Sequence, residues 1–237
     1  MKPFLFFLIL VVSVSSTAYA GVDEFPSRWS GEKLPKKTFD RIIQLFETTF
    51  SPLSAKNGRE LEILTDYKED WVQAFARRWE KDQIIVYGGV AAIKNGSEDT
   101  MALILCHEAG HLYGGDPVGD EFNKLSVEGQ ADFWAASFCL DKILPSLSAT
   151  IATEVSLHLC DQNNKCARKI DAFLSVTAHF AQNRNLPHPR LNTPDETVVD
   201  FTLFTHPNPQ CRLDTMMAGL RGSHRPYCWY NSEAENP

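Results

Sequence analysis

Beyond its first twenty residues the chain has no apolar run long enough to cross a bilayer, so a membrane-embedded mature form is not expected. It also lacks a basic excess: 23 Lys and Arg stand against 30 Asp and Glu, for a formal charge of −7. Binding to a phosphate backbone, and with it a nucleic-acid partner, is therefore not expected. No repeat and no low-complexity tract interrupts the sequence, and no cysteine stands at position 21 to carry a lipid anchor. Histidine is scarce, at 7 residues, so two of them in one spacing motif stand out against a thin background.

What is present begins with an export signal. Met1 to Ala20 has one basic residue, Lys2, an apolar run from Phe4 to Val12 and the small-x-small site Ala18-Tyr19-Ala20. The run is about half of the ~20 residues that a membrane span needs, so a cleaved signal peptide is expected rather than an anchor. Removing residues 1–20 leaves 237 − 20 = 217 residues, suited to a single domain over 21–237, and takes Lys2 with it, so the charge becomes −7 − 1 = −8. The expected location is outside the cytoplasm, periplasmic or secreted. All six cysteines lie in the exported part, and an even number in an oxidising compartment predicts disulfide bonds. The preferred pairing joins Cys160 to Cys166 across a short loop and Cys211 to Cys228 across the tail. Cys106 and Cys139 are then either bridged or free and buried.

Chemistry concentrates at Cys106-His107-Glu108-Ala109-Gly110-His111. Side chains four apart on an α-helix lie nearly above one another, so His107 and His111 can share one metal ion. A catalytic zinc takes three protein ligands and keeps a fourth position for water, with His2Glu as one established set. Glu128 repeats the face seventeen positions after His111 and is the natural third ligand. Asp132, one turn beyond, is placed to accept the spare N–H of a ligating histidine and so fix its tautomer. Glu108, at the edge of the face, can take a proton from an attacking water. These residues predict one Zn2+ per chain.

The helix that carries the first motif is expected over 98–112. Met101 to Leu105 are apolar helix formers, Ser97 with Glu98 and Asp99 supplies a capping candidate and first-turn acids, and Gly114 and Gly115 end it. Phe39, Ile42, Ile43, Phe46 and Phe50 follow the spacing of an earlier amphipathic helix. Segments near 60–66, 72–79 and 83–88 read as strands, the last two joined in a hairpin through Glu80, Lys81 and Asp82. Further helices are expected over 126–143, 147–160, 164–184 and 208–220. The fold expected is α+β, with a small N-terminal sheet followed by a bundle of helices that carries the metal motif. His158, His179, His188 and His224 show no ligand spacing and read as structural or solvated.

Three stretches resemble a known family. Asp82 to Ile93 (DQIIVYGGVAAI), running into the motif helix, resembles the strand and turn before the first zinc helix of the gluzincin metallopeptidases, in the branch of CAAX prenyl proteases and the heat-shock protease HtpX. Glu128-Gly129-Gln130-Ala131-Asp132 matches that branch's Glu-x-x-Ala-Asp, and Thr205-His206-Pro207 with Arg212 and Leu213 resembles its Thr-His-Pro followed by arginine. The resemblance implies a zincin-like domain that hydrolyses peptide bonds in a protein or peptide substrate, with Glu108 as general base. It also makes His206 the first choice to donate to the oxyanion, with Tyr113 second, and places Arg212 on the substrate or on an acidic residue near the site. By the same resemblance substrate lies along the edge strand of the sheet, for which residues Ile84 to Val90 are the candidate. Two other readings share the chemistry or the metal: a zinc amidase acting on cell-wall peptide crosslinks, and a metal-stabilised binding or assembly module that does not cut. The presence of Glu108 argues against the module, because a purely structural site needs no base.

Overall fold

The computed structural model describes residues 27–28, 31–119 and 122–233. The expected signal peptide, residues 1–20, lies outside them. The architecture is mixed α+β, with the sheet first and helices after it.

Helix α1, Lys36–Lys56, forms because Phe39, Ile42, Phe46 and Phe50 recur at helical spacing, and all four are buried in the core. It packs on the first strand of a three-stranded sheet made of β2 (Leu61–Asp66), β4 (Ala74–Arg78) and β5 (Asp82–Tyr87). The order is β2-β5-β4; β5 runs parallel to β2 and antiparallel to β4, with Ala76 opposite Ile84 and Phe75 opposite Ile85. The expected hairpin therefore exists. A separate short pair joins β1 (Ser27–Arg28) to β3 (Trp71–Val72).

Two expectations need correction here. Residues Ile84 to Val90 are not an edge strand. β5 is bonded on both sides and its Ile84 and Val86 are fully buried, while residues 88–92 turn into a 3-10 helix that holds Val90. An apolar run of this kind marks a central strand, bonded on both edges. The edge strands are β2, against α1, and β4, against the helix that carries His107 and His111. The helix expected over 147–160 shrinks to α5, Glu154–Leu159. Side chains take the backbone N–H groups before it: Glu98 accepts from Ser148 N (2.9 Å), Asn164 from Ala152 N (3.0 Å) and Asp171 from Thr153 N (2.7 Å). Such bonds compete with helical ones.

The remaining helices are α2 (Glu98–Tyr113), α3 (Glu128–Trp134), α4 (Leu140–Ile143), α6 (Asn164–Asn183) and α7 (Pro209–Arg221), with one π turn at Ala135–Cys139 between α3 and α4. α2 is the hub, packing against β4, β5, α3 and α6. A buried ion pair fixes its start: Asp99 accepts from Arg168 of α6 at 2.7 and 2.5 Å. Among the described residues no helix is long and apolar enough to cross a membrane. Three disulfides close the structure. Cys160–Cys166 and Cys211–Cys228 pair as expected, and Cys106 and Cys139 are bridged as well as buried, tying α2 to the π turn. Thiol titration of the denatured, unreduced protein is therefore expected to find no free thiol; two or more per chain contradict the pairing.

Candidate metal centre

The site is built where α2 crosses α3. Ser97 caps α2 by accepting from Thr100 N, while the Thr100 hydroxyl accepts from Ser97 N at 3.0 Å, a reciprocal capping box. From that fixed start His107 and His111 fall one turn apart on the face toward α3. The helices approach closely because Gly110 lies between the two histidines: a Cβ there would stand 2.7 Å from Ala131 Cα. No larger residue permits that distance, and the contact brings Glu128 and Asp132 beside the histidines.

The second atom of each imidazole is committed. His107 Nδ1 lies 2.8 Å from Asp132 Oδ1, and His111 Nδ1 lies 2.7 Å from the carbonyl oxygen of Ser126. Both partners are acceptors, so in the neutral rings Nδ1 carries the hydrogen and both Nε2 atoms present bare lone pairs. Those two Nε2 atoms are 3.1 Å apart. Glu128 Oε2 lies 3.0 Å from His107 Nε2, and Oε1 lies 3.4 Å from His111 Nε2. Tetrahedral zinc with bonds of ~2.0–2.1 Å spaces its ligand atoms by about 3.3–3.4 Å, close to these separations. Three electron-rich atoms gathered this way repel one another unless a cation lies among them. Glu108 Oε2 is also buried without a hydrogen-bond partner among the described residues, as a group awaiting a ligand would be. His107, His111 and Glu128 form a group that can hold a metal ion.

The ionisation of these groups points the same way. Burial opposes charge on His107, but Asp132 and then Glu128 outweigh it and raise the imidazole to about 10. His111 is raised too, with burial again opposing and Glu128 prevailing. Burial works to raise Glu128, yet His111 and His206 hold it well below the usual carboxylate range. Asp132 is lowered against its burial, chiefly by Arg212 and then His107. Of the three carboxylates Glu108 alone goes up, because burial dominates and Glu128 adds repulsion. A centre this attractive to positive charge suits a metal ion, whose binding would compete with protons.

The remaining expected residues divide. His206 joins the site, with Nε2 at 3.1 Å from Glu128 Oε2. Arg212 is buried and lies in the lining of the cleft beside the site. Its guanidinium makes a two-pronged contact with Asp132 at 2.8 and 3.0 Å and stacks on Phe180 at 4.3 Å, which is the expected pairing with an acidic residue near the site. Tyr113 points elsewhere: its phenol faces Ser54 and Asp82 behind α2, where burial pushes its pKa up, and it does not line the cleft.

The cleft that opens beside the site is lined by His107, Glu108, Asp132 and His206. Val72 and Ala74 from the β3–β4 stretch, with Leu103, Ile104, Val176 and Phe180, give it an apolar lining. Residues from α6 were not foreseen, since nothing local in 164–184 distinguishes a core face from a cleft face. His179 is among them. It accepts from Asn183 at 2.9 Å, and burial lowers its pKa from 6.5 to about 4.

Comparison with protein-family models, with characterised proteins and with solved structures finds no match for this chain.

Two outcomes follow from this geometry. Asp132→Asn, which weakens the acceptor for His107 Nδ1–H and the partner of Arg212, is expected to lower metal affinity about 10–100-fold in chelator competition; affinity equal to the parent's contradicts the relay. Between its folded pKa of about 4 and its unfolded 6.5, His179 is protonated in the unfolded chain and neutral in the folded one. Its contribution to stability is thus complete above pH 6.5 and lost as pH falls toward 4. His179→Gln should flatten the slope of unfolding free energy against pH across that window in urea titrations; an unchanged slope refutes the assignment.

Proposed function

We propose that the protein is an exported zinc peptidase of zincin-like fold, hydrolysing peptide bonds in proteins or peptides. One observation carries the reading: two imidazole Nε2 atoms and a carboxylate converge within 3.0–3.4 Å of one another, beside a second buried carboxylate, Glu108, that has no hydrogen-bond partner among the described residues. The second carboxylate, Glu108, is what separates a hydrolytic site from a purely structural one, because a structural ion has no use for a base in an open cleft.

Zinc held by His107, His111 and Glu128 would supply Lewis acidity toward a water and a scissile carbonyl. Glu108 lies next to His107 in sequence and lines the cleft. Its carboxylate takes the proton of the attacking water and returns it to the leaving amine, and the upward push of burial brings its pKa closer to working pH. His206 lines the same cleft and donates to the oxyanion as it develops. Asp132 and Arg212 keep His107 in the tautomer that leaves Nε2 free. Val72 to Ala74, at the open side of β4, offer main-chain groups to an extended substrate in place of the central strand β5. Export is supported by the three disulfides and by the signal-like residues 1–20.

Glu108→Gln is expected to retain zinc at one ion per chain while casein or peptide-library cleavage falls at least ~100-fold, the scale of a lost general base. Zinc-bound Glu108→Gln that cleaves as fast as the parent rules this mechanism out.

A further inference from the structure

The third ligand sits at a helix start that has no side-chain cap, although main-chain bonds from Ser126 N to His111 O (2.8 Å) and from Val127 N to Pro117 O (3.0 Å) hold the two residues before it. α3 is seven residues long, its N-cap is Val127, and no side chain caps it. Helix ends without a cap rely on packing for their position. Glu128 is the first residue of that helix, so whatever packs there sets where its carboxylate goes.

What packs there is the C-terminal tail. Trp229 is fully buried in a small second core with Val127, Cys211 and Cys228. Its indole lies against Gly129, so close that a Cβ built there would stand only 2.1 Å from Trp229 Cδ2. The main-chain carbonyl of Trp229 accepts from Leu203 N at 2.8 Å, three residues before His206. Arg225 donates to Gln130 Oε1 at 2.6 Å, and Gln130 in turn donates to Gly114 O at 2.7 Å, at the end of the histidine helix. One short stretch of tail thus touches the segments bearing Glu128, His206 and His111.

The tail is held by one covalent bond, Cys211–Cys228. Its two sulfurs are each next in sequence to a residue that reaches the site: Arg212, on Asp132, and Trp229, on Gly129. The Cys160–Cys166 bridge closes only the α5–α6 turn.

We propose that Trp229 is the positioning residue for Glu128, and that the Cys211–Cys228 bridge, by seating it, makes assembly of the metal centre depend on oxidation of the chain. The inference rests on the metal reading of His107, His111 and Glu128. In forming the bridge two thiols become one S–S bond, and their two electrons and two protons pass to a disulfide oxidant, which leaves as a dithiol. A chain folded in a reducing compartment has a loose tail, an unseated Glu128 and weak zinc retention. The hydrolytic site comes into being after export.

The test is zinc affinity of the purified, oxidised mature protein by competition with a chromophoric chelator, with circular dichroism as a check on folding. Cys211→Ser/Cys228→Ser and Trp229→Ala should each bind zinc about 10–100-fold more weakly, the range seen when support of a ligand is lost. Trp229→Phe should recover most of the loss, because a six-membered ring again covers Gly129, and Cys160→Ser/Cys166→Ser should bind as the parent does. If Trp229→Ala does not fold, Gly129→Ala serves: it should lose zinc affinity, and Gly129→Ala/Trp229→Ala should regain part of it as the new methyl fills the vacated space. Variants at 211, 228, 229 and 129 that bind zinc within twofold of the parent overturn the inference alone. A parent that takes up no zinc overturns the metal reading and this inference together.

Discussion

Everything at the centre of this protein depends on two hydrogen bonds that point away from it. Asp132 and the Ser126 carbonyl take the Nδ1 hydrogens of His107 and His111, and that leaves both Nε2 lone pairs directed at one spot beside Glu128. Buried lone pairs do not gather unaided, since each costs free energy when taken from water and they repel one another on contact. The structure commits that cost in its most buried region, with His111 and Asp132 almost wholly inaccessible. A cation bound to all three atoms would offset that cost, and the group is one that can hold such an ion.

Around this point the fold supplies rigidity in layers. The capping box at Ser97 and the Asp99–Arg168 pair set the start of α2; the Cys106–Cys139 bridge joins it to the π turn that follows the helix of Glu128; Gly110 lets the two axes approach. On the far side Asp82 is wholly buried between Arg59 (2.6 Å) and Arg78 (3.0 Å), and Arg78 also reaches the carbonyls of Leu112 and Asn123, fastening the loop that leads to Ser126. A buried carboxylate with two guanidinium partners is costly to disturb, since removing one partner leaves an uncompensated charge. The metal face of α2 is thus held from its start, from its end and from the side.

Much of this was legible in the residues, for reasons that can be named. His107, Glu108 and His111 lie within one helical turn and a half, where spacing alone decides which side chains share a face, and the boundaries of α2 follow from Ser97 and Gly114. Glu128 and Asp132 were legible because they repeat that spacing. What was not legible depends on long-range contact. Whether β5 is an edge or a centre is set by β2 pairing across more than twenty residues, and the apolar run Ile84–Val86 is the local sign of its central place. Arg212 and Tyr113 are amphipathic side chains whose direction no spacing reports, and each turned to a buried acid, Asp132 for the first and Asp82 for the second. Trp229 and Gly129 lie a hundred residues apart, and only packing shows that they touch.

X-ray absorption at the zinc edge of the purified mature protein tests the central claim most directly. The account predicts one zinc per chain whose nearest shell contains only nitrogen and oxygen at ~2.0–2.2 Å with imidazole signatures, because all six cysteines are in disulfides. A protein without bound zinc, or a shell containing sulfur at ~2.3 Å, would contradict it.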